Sequence, residues 1–280
     1  MSEREQLRDK NRIVVKVGTS TLTYENGKIN LNRIDMLARV LSDIHNMGKE
    51  LILVSSGAMG VGVGKLKLAE RPHGVSERQA VAAVGQSELM HIYSKSFAEY
   101  GHIVGQILLT RDVVDNEYSR NNVVNTFKTL MKMGIIPIVN ENDSVSIEEI
   151  ANKASAGFGD NDTLSVIVAT LVEADLLIIL TDIEGFYDKD PRKHSDAALI
   201  SLIDRITPEI ENAAGGVGSL RGTGGMLTKI YAAGMALDNG IDMLLAGGED
   251  PRRIYDIIEG KSVGTLFSTV KATAHPSKQS

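Results

Sequence analysis

Six short runs of aliphatic and β-branched residues recur along the chain, at 13–17, 51–54, 103–109, 135–139, 176–181 and 241–246. Within each run the apolar residues are close to continuous rather than alternating, so a strand formed there has both faces buried. Between the runs lie stretches with apolar residues at three- and four-residue spacing. One of them, 31–47, puts Leu31, Ile34, Leu37, Ala38, Leu41 and Ile44 on one side of a helix. Others fall at about 76–99, 121–133, 162–173, 225–239 and 252–259. Strand and helix alternate throughout, which predicts a largely parallel sheet with helices on both faces. Gly48, Gly134 and Gly240 each stand just before a strand, where a helix closes with a left-handed residue.

With 280 residues the chain suits one large α/β domain or two modest lobes, and no linker divides it into comparable halves. It contains no cysteine, which excludes disulfides, thiolate catalysis and thiolate-bound zinc. The formal net charge of −6 argues against nucleic acid or an anionic membrane as partner. An anionic substrate must then be met by particular lysines. Residues 1–11 form a charged, polar extension rather than a secretory signal, and the apolar run 176–180 is far too short to span a bilayer. A cytoplasmic protein is expected. The six histidines show no metal-ligand spacing. Residues 60–65 lack the spacing of a P-loop, and no Gly-x-Gly-x-x-Gly follows the first run.

Candidate chemistry gathers where the strands end, since open α/β sheets bind ligands beyond the carboxyl ends of their strands. Lys16-Val17-Gly18-Thr19-Ser20 closes the first run, with a lysine charge and a glycine that lets backbone N–H groups approach phosphate oxygens. Ser55-Ser56-Gly57-Ala58 follows the second and would open a helix N-terminus, a natural anion site. Asn140-Glu141-Asn142-Asp143 offers hydrogen-bonding side chains for a polar ligand, or an Asx-rich turn. In Gly159-Asp160-Asn161-Asp162-Thr163 one acid is expected to cap a helix, while the other could orient cations or magnesium-bound water. Thr181-Asp182 leaves the fifth run. Gly222-Thr223-Gly224-Gly225-Met226-Leu227-Thr228-Lys229 enters a helix with a lysine one turn in, where amides and dipole favour phosphate. Segments 141–160 and 212–225 are expected to be loops, and the residues after Phe267 a short polar tail.

Taken in order, Val-Val-Lys-Val-Gly-Thr-Ser, Ser-Ser-Gly-Ala, Asn-Glu-Asn-Asp-Ser-Val, Gly-Asp-Asn-Asp, Leu-Thr-Asp-Ile-Glu-Gly-Phe-Tyr, Gly-Thr-Gly-Gly-Met-Leu-Thr-Lys and Gly-Thr-Leu-Phe resemble the amino acid kinase family. The match runs from about Ile13 to Phe267. The Gly-Thr-Ser after Lys16 is similar to members that act on free glutamate in proline biosynthesis, rather than to the Gly-Gly forms that act on acetylglutamate, uridylate or aspartate.

The resemblance implies a three-layer α/β/α sandwich around a mostly parallel sheet of about eight strands, spanning 12–268, with glutamate bound by the N-terminal part and ATP by the C-terminal part. It implies that Lys16 and Lys229 neutralise the transferring phosphoryl group and that Asp162 holds them. Ser56, Asp143 and Asn161 would bind glutamate. Lys16, Gly18, Thr181, Asp182, Thr223, Gly224, Gly225, Met226, Leu227, Thr228 and Lys229 would bind ATP, with Mg²⁺ as cofactor. A glutamate carboxylate, with a reference pKa of about 4.3, is a nucleophile without a base. A sister kinase acting on another carboxylate or phosphate, or a non-catalytic nucleotide or amino-acid sensor, are the competing readings. Further implications are feedback inhibition by L-proline, a glutamyl-phosphate reductase as functional partner, and a homodimer or homotetramer. Two departures stand out. The RNA-binding-like PUA domain of many relatives is not expected after Phe267, and the link 148–158 is longer, with Gly157 near a usual basic position and Lys153 further upstream.

Overall fold

The computed structural model describes residues 2–24, 28–145, 161–215 and 225–268. The six runs form strands β1 (Arg12–Val17), β2 (Glu50–Ser55), β3 (Val104–Leu109), β4 (Ile136–Glu141), β5 (Leu176–Thr181) and β7 (Asp242–Gly247). Two further strands, β6 (Leu202–Ile203) and β8 (Thr265–Phe267), are two and three residues long, too short to leave a periodic signal. All eight join one sheet in the order β3-β4-β2-β1-β5-β7-β8-β6. The first six are mutually parallel, while β8 runs antiparallel to β7 and carries β6 parallel to itself.

The helices are α1 (Thr19–Leu22), α2 (Leu31–Asn46), α3 (Ala58–Leu66), α4 (Val75–Ala98), α5 (Arg111–Asp115), α6 (Glu117–Lys132), α7 (Asn161–Leu171), α8 (Pro208–Ala213), α9 (Met226–Asp238) and α10 (Arg253–Ile258). The long ones match the predicted stretches within a few residues. Gly48, Gly134 and Gly240 have φ of +90°, +70° and +70°, the conformation expected of helix-closing glycines.

Two separate cores flank the sheet. Ile13, Val15 and Val17 of β1 pack with Ile34 and Leu41 of α2, Leu89 and Phe97 of α4 and Ile254 of α10. Val14 packs the other way, with Phe127 of α6, Leu164 and Val168 of α7 and Ile230 and Ala233 of α9. This alternation along β1 is the two-residue period of a strand, and it makes the molecule an α/β/α sandwich. Lys16 shares the parity of Val14 and therefore belongs to the α7–α9 side.

The glycines of 57–64 do more than open a helix. A Cβ on Gly85 of α4 would lie 1.8 Å from the carbonyl oxygen of Ala58, and one on Gly62 would lie 2.0 Å from that of Val81. Helices α3 and α4 thus meet backbone to backbone, and the start of α3 is pinned at the exit of β2. The N-terminal extension is also anchored, because Leu7 is fully buried.

The chain builds β1 and then the β2, β4, β3 side, before α7 leads it to β5 on the other flank of β1. The strand order reverses at β1, and such a switch point opens a crevice beyond the strand ends.

Candidate active site

Parallel pairing lines up the exits of the central strands at one edge. Val17 is level with Ser55 on one side and with Leu180 on the other, and Thr181 is level with Gly247. Lys16, Ser56, Thr181 and Asp182 are therefore neighbours because of register, although they lie far apart in sequence.

Helix α7 packs across β1, β2, β4 and β5, and α9 packs on α7. Their first turns deliver Asp162 and Lys229 to Lys16. The Nζ of Lys16 is 2.6 Å from Asp162 Oδ1, and the Nζ of Lys229 is 3.1 Å from Oδ2. Asp162 is wholly buried, and Lys16 and Lys229 are only 6% and 5% exposed. Burial pushes the Asp162 carboxyl toward the neutral form. The charges of Lys16 and Lys229 and their hydrogen bonds outweigh it and hold the group below its ordinary value, so it is ionised. One carboxylate thus gathers two ammonium groups within reach of the sheet edge. The Thr228 hydroxyl donates to the Gly225 carbonyl at 2.8 Å and lies 3.4 Å from Asp162 Oδ2.

The remaining predicted residues divide by flank. On the β2–β4 flank, the Ser56 hydroxyl donates to the Val17 carbonyl at 3.2 Å, tying the two strand exits together. Asn161 opens α7, and its Oδ1 is buried without a hydrogen-bond partner among the described residues. Asp143 is half-buried in the turn that follows β4. On the β5–β7 flank, the Thr181 hydroxyl donates to Asp182 Oδ1 at 2.9 Å. Gly18 has open space, since a Cβ there would meet nothing nearer than Lys16 Nζ at 3.7 Å. Gly225 precedes α9, Met226 starts it, and Leu227 is 38% exposed. Thr223 and Gly224 lie outside the described residues, as do Lys153, Gly157, Gly159 and Asp160. Among the described residues no cluster of three His, Cys, Asp or Glu is disposed to hold a metal ion, and no helix is long and apolar enough to cross a membrane.

Two contributors were not foreseen. Gln86 Oε1 accepts from Asn140 Nδ2 at 2.7 Å, while Asn140 Oδ1 accepts from the Glu141 N–H at 2.9 Å, which fixes the exit of β4. The buried Tyr93 hydroxyl pairs with Ser55 Oγ at 2.8 Å, beside Ser56. Both residues sit within the long helix α4, where a single polar residue gives no spacing signal.

A lysine pair on a buried carboxylate, at the switch point of a parallel sheet, is an arrangement chemically suited to a polyanion. A model described as the amino acid kinase family matches residues 11–247, and the chain belongs to that family. More particularly, it is 63% identical over 268 residues to the glutamate 5-kinase of Clostridium perfringens (strain 13 / Type A), covering 96% of this chain and 99% of that protein. It is 59% identical over 268 residues to the glutamate 5-kinase of Listeria innocua, covering 96% of each. Among solved structures, UMP kinase from Bacillus anthracis superposes with a TM-score of 0.63 at 15% identity, covering 94% of this chain and 97% of that one. T. acidophilum isopentenyl phosphate kinase gives 0.61 at 19% identity, covering 92% and 100%. At that identity the two structures share the fold alone.

Proposed function

We propose that this chain transfers the terminal phosphoryl group of ATP to the side-chain carboxylate of L-glutamate, yielding glutamyl 5-phosphate and ADP, the first step of proline biosynthesis. The observation that carries the reading is the buried Asp162 carboxylate holding Lys16 and Lys229 from opposite sides. The near-full-length identity to glutamate 5-kinases supports glutamate as the acceptor.

The chemistry follows from the charges. The glutamate carboxylate is ionised near neutral pH and attacks the γ-phosphorus directly, so no general base is required. The difficulty is bringing that anion up to the triphosphate. Lys16 and Lys229 neutralise the oxygens between nucleophile and leaving group, and preorganisation by Asp162 means they need not reorient as charge moves. Mg²⁺ enters with ATP as its phosphate complex.

In this reading residues 12–268 act as one kinase domain. Its N-terminal part takes glutamate, with Asp143 receiving the ammonium group and Ser56 and Asn161 the polar remainder. Its C-terminal part takes ATP, along Thr181, Asp182 and the segment from Thr223 to Lys229, with Lys16 and Gly18 at the exit of β1 reaching it from the N-terminal part. L-Proline competes at the glutamate position, a glutamyl-phosphate reductase consumes the product, and the enzyme works in the cytoplasm as a homo-oligomer. The test is ADP release with MgATP across glutamate, N-acetylglutamate, aspartate, carbamate and UMP. Turnover with glutamate well above the others is expected. Preference for another acceptor moves the chain to a sister activity, and ATP binding without turnover on any acceptor rejects a kinase.

A further inference from the structure

The segment Gly264-Thr265-Leu266-Phe267 stands apart from the lysine cluster, yet Thr265 is completely buried. Its hydroxyl donates to the Ile200 carbonyl at 2.6 Å and accepts from the Phe186 N–H at 2.8 Å. The single proton of the hydroxyl and one of its lone pairs are thereby committed to two different chain segments. A Cβ on Gly185 would lie 2.8 Å from Thr265 Oγ1, so the two residues are in direct contact and Gly185 has no room for a side chain.

The segment held in this way, 182–187, leads directly from Thr181 and Asp182 at the exit of β5. It is braced a second time by the Arg253–Glu184 ion pair. Behind β8, Arg4 donates to the carbonyl oxygens of Val263 at 2.7 Å and of Gly264 and Ser201 at 2.8 Å each. A continuous line of contacts therefore runs from the N-terminal extension through the turn before β8 to the backbone of Phe186. Glu184 and Phe186 fix the far end of this loop, and Thr181 fixes the near end.

We propose that Thr265 is a positioning residue for the nucleotide, holding the 182–187 segment where it meets ATP, and that Arg4 supports it from behind. The inference rests on the reading of the β5–β7 flank as the nucleotide side. A merely structural threonine would lower stability and depress all kinetic constants together. A positioning threonine acts on one substrate.

The experiment uses the full chain as wild type, Thr265→Val, Thr265→Ser and Arg4→Gln. ADP affinity is measured by calorimetric titration, and KM for ATP and for glutamate by coupled assay, below each variant's melting temperature. Thr265→Val is expected to weaken ADP binding and raise the KM for ATP about tenfold, the scale of one lost hydrogen bond, with the KM for glutamate within about twofold of wild type. Thr265→Ser restores both, and Arg4→Gln shifts ADP affinity the same way by a smaller factor. Unchanged ADP affinity in Thr265→Val, a parallel rise of both KM values, or failure of serine to restore binding overturns the proposal. If Thr265→Val does not fold, unchanged ADP affinity in Arg4→Gln overturns it. A wild type that binds no ADP removes the nucleotide reading itself and this inference with it, whereas wild-type binding unaffected by the variants removes the inference alone.

Discussion

Lys229 donates to Asp162 Oδ2 at 3.1 Å across 67 positions of sequence. The contact exists because α7 and α9 pack side by side over the same face of the sheet and present their first turns at the same edge. Asp162 Oδ1 meanwhile holds Lys16 from β1. A buried ion pair is a poor device for stability, since desolvation offsets most of its attraction. Its presence at the crevice points to chemistry.

Asp162→Asn leaves two buried ammonium groups without their carboxylate. The expected loss is about 3–5 kcal/mol of stability, the range for removing one partner of a buried pair. Urea denaturation measures it, and a loss under about 1 kcal/mol would contradict the arrangement. The pH dependence has a definite sign. The Asp162 carboxyl is held below its ordinary 3.8, so the folded state binds its proton less readily than the unfolded state. Its contribution is complete above that value and is lost as pH falls through the folded pKa. The asparagine variant should therefore lose less stability than wild type on acidification below about pH 4.

Asn161 carries the opposite signature. Among the described residues its Oδ1 is buried without a partner, a state that costs stability unless a ligand supplies the missing donor. Asn161→Ala should raise the KM for glutamate about tenfold while changing the melting temperature by no more than about 2 °C. A large stability loss with unchanged KM would make Asn161 a structural residue instead.

Gly85→Ala tests how the start of α3 is held. The added methyl would fall 1.8 Å from the Ala58 carbonyl oxygen, so α3 and α4 must separate. A loss of about 1–3 kcal/mol is expected, as for other overpacked sites, and the denaturation midpoint reports it. A stabilised variant would contradict the close packing, because alanine is otherwise the better helix former.

Five strands and the long helices were legible because burial on both sides of a parallel sheet leaves continuous apolar runs, and amphipathic helices leave a 3.6-residue period. The run 103–109 also forms a strand, but β3 lies at the sheet edge and is only partly buried, with Gln106 exposed, so the expectation of two buried faces fails there. The short strands at Leu202 and Thr265 were not legible, since two or three residues carry no period. Lys16, Asp162 and Lys229 were each visible as a polar residue at the end of an apolar element. Their meeting on one carboxylate was not visible in spacing, because it depends on the register of β1 with β5 and on α9 lying against α7. The resemblance of ordered motifs supplied that connection. Gln86 and Tyr93 escaped notice because they serve the site from the middle of α4, where neighbouring residues give no hint of a partner across the fold.

The central claim is that two lysines anchored on one aspartate stabilise phosphoryl transfer. Steady-state turnover of Lys16→Met, Lys229→Met and the double variant with glutamate and saturating MgATP tests it most directly. Each single variant should lose about 10²–10³ in kcat, the scale of one preorganised donor, and the double variant should lose less than the product of the two, because both lysines act through Asp162. Near-wild-type turnover in either single variant would contradict the account.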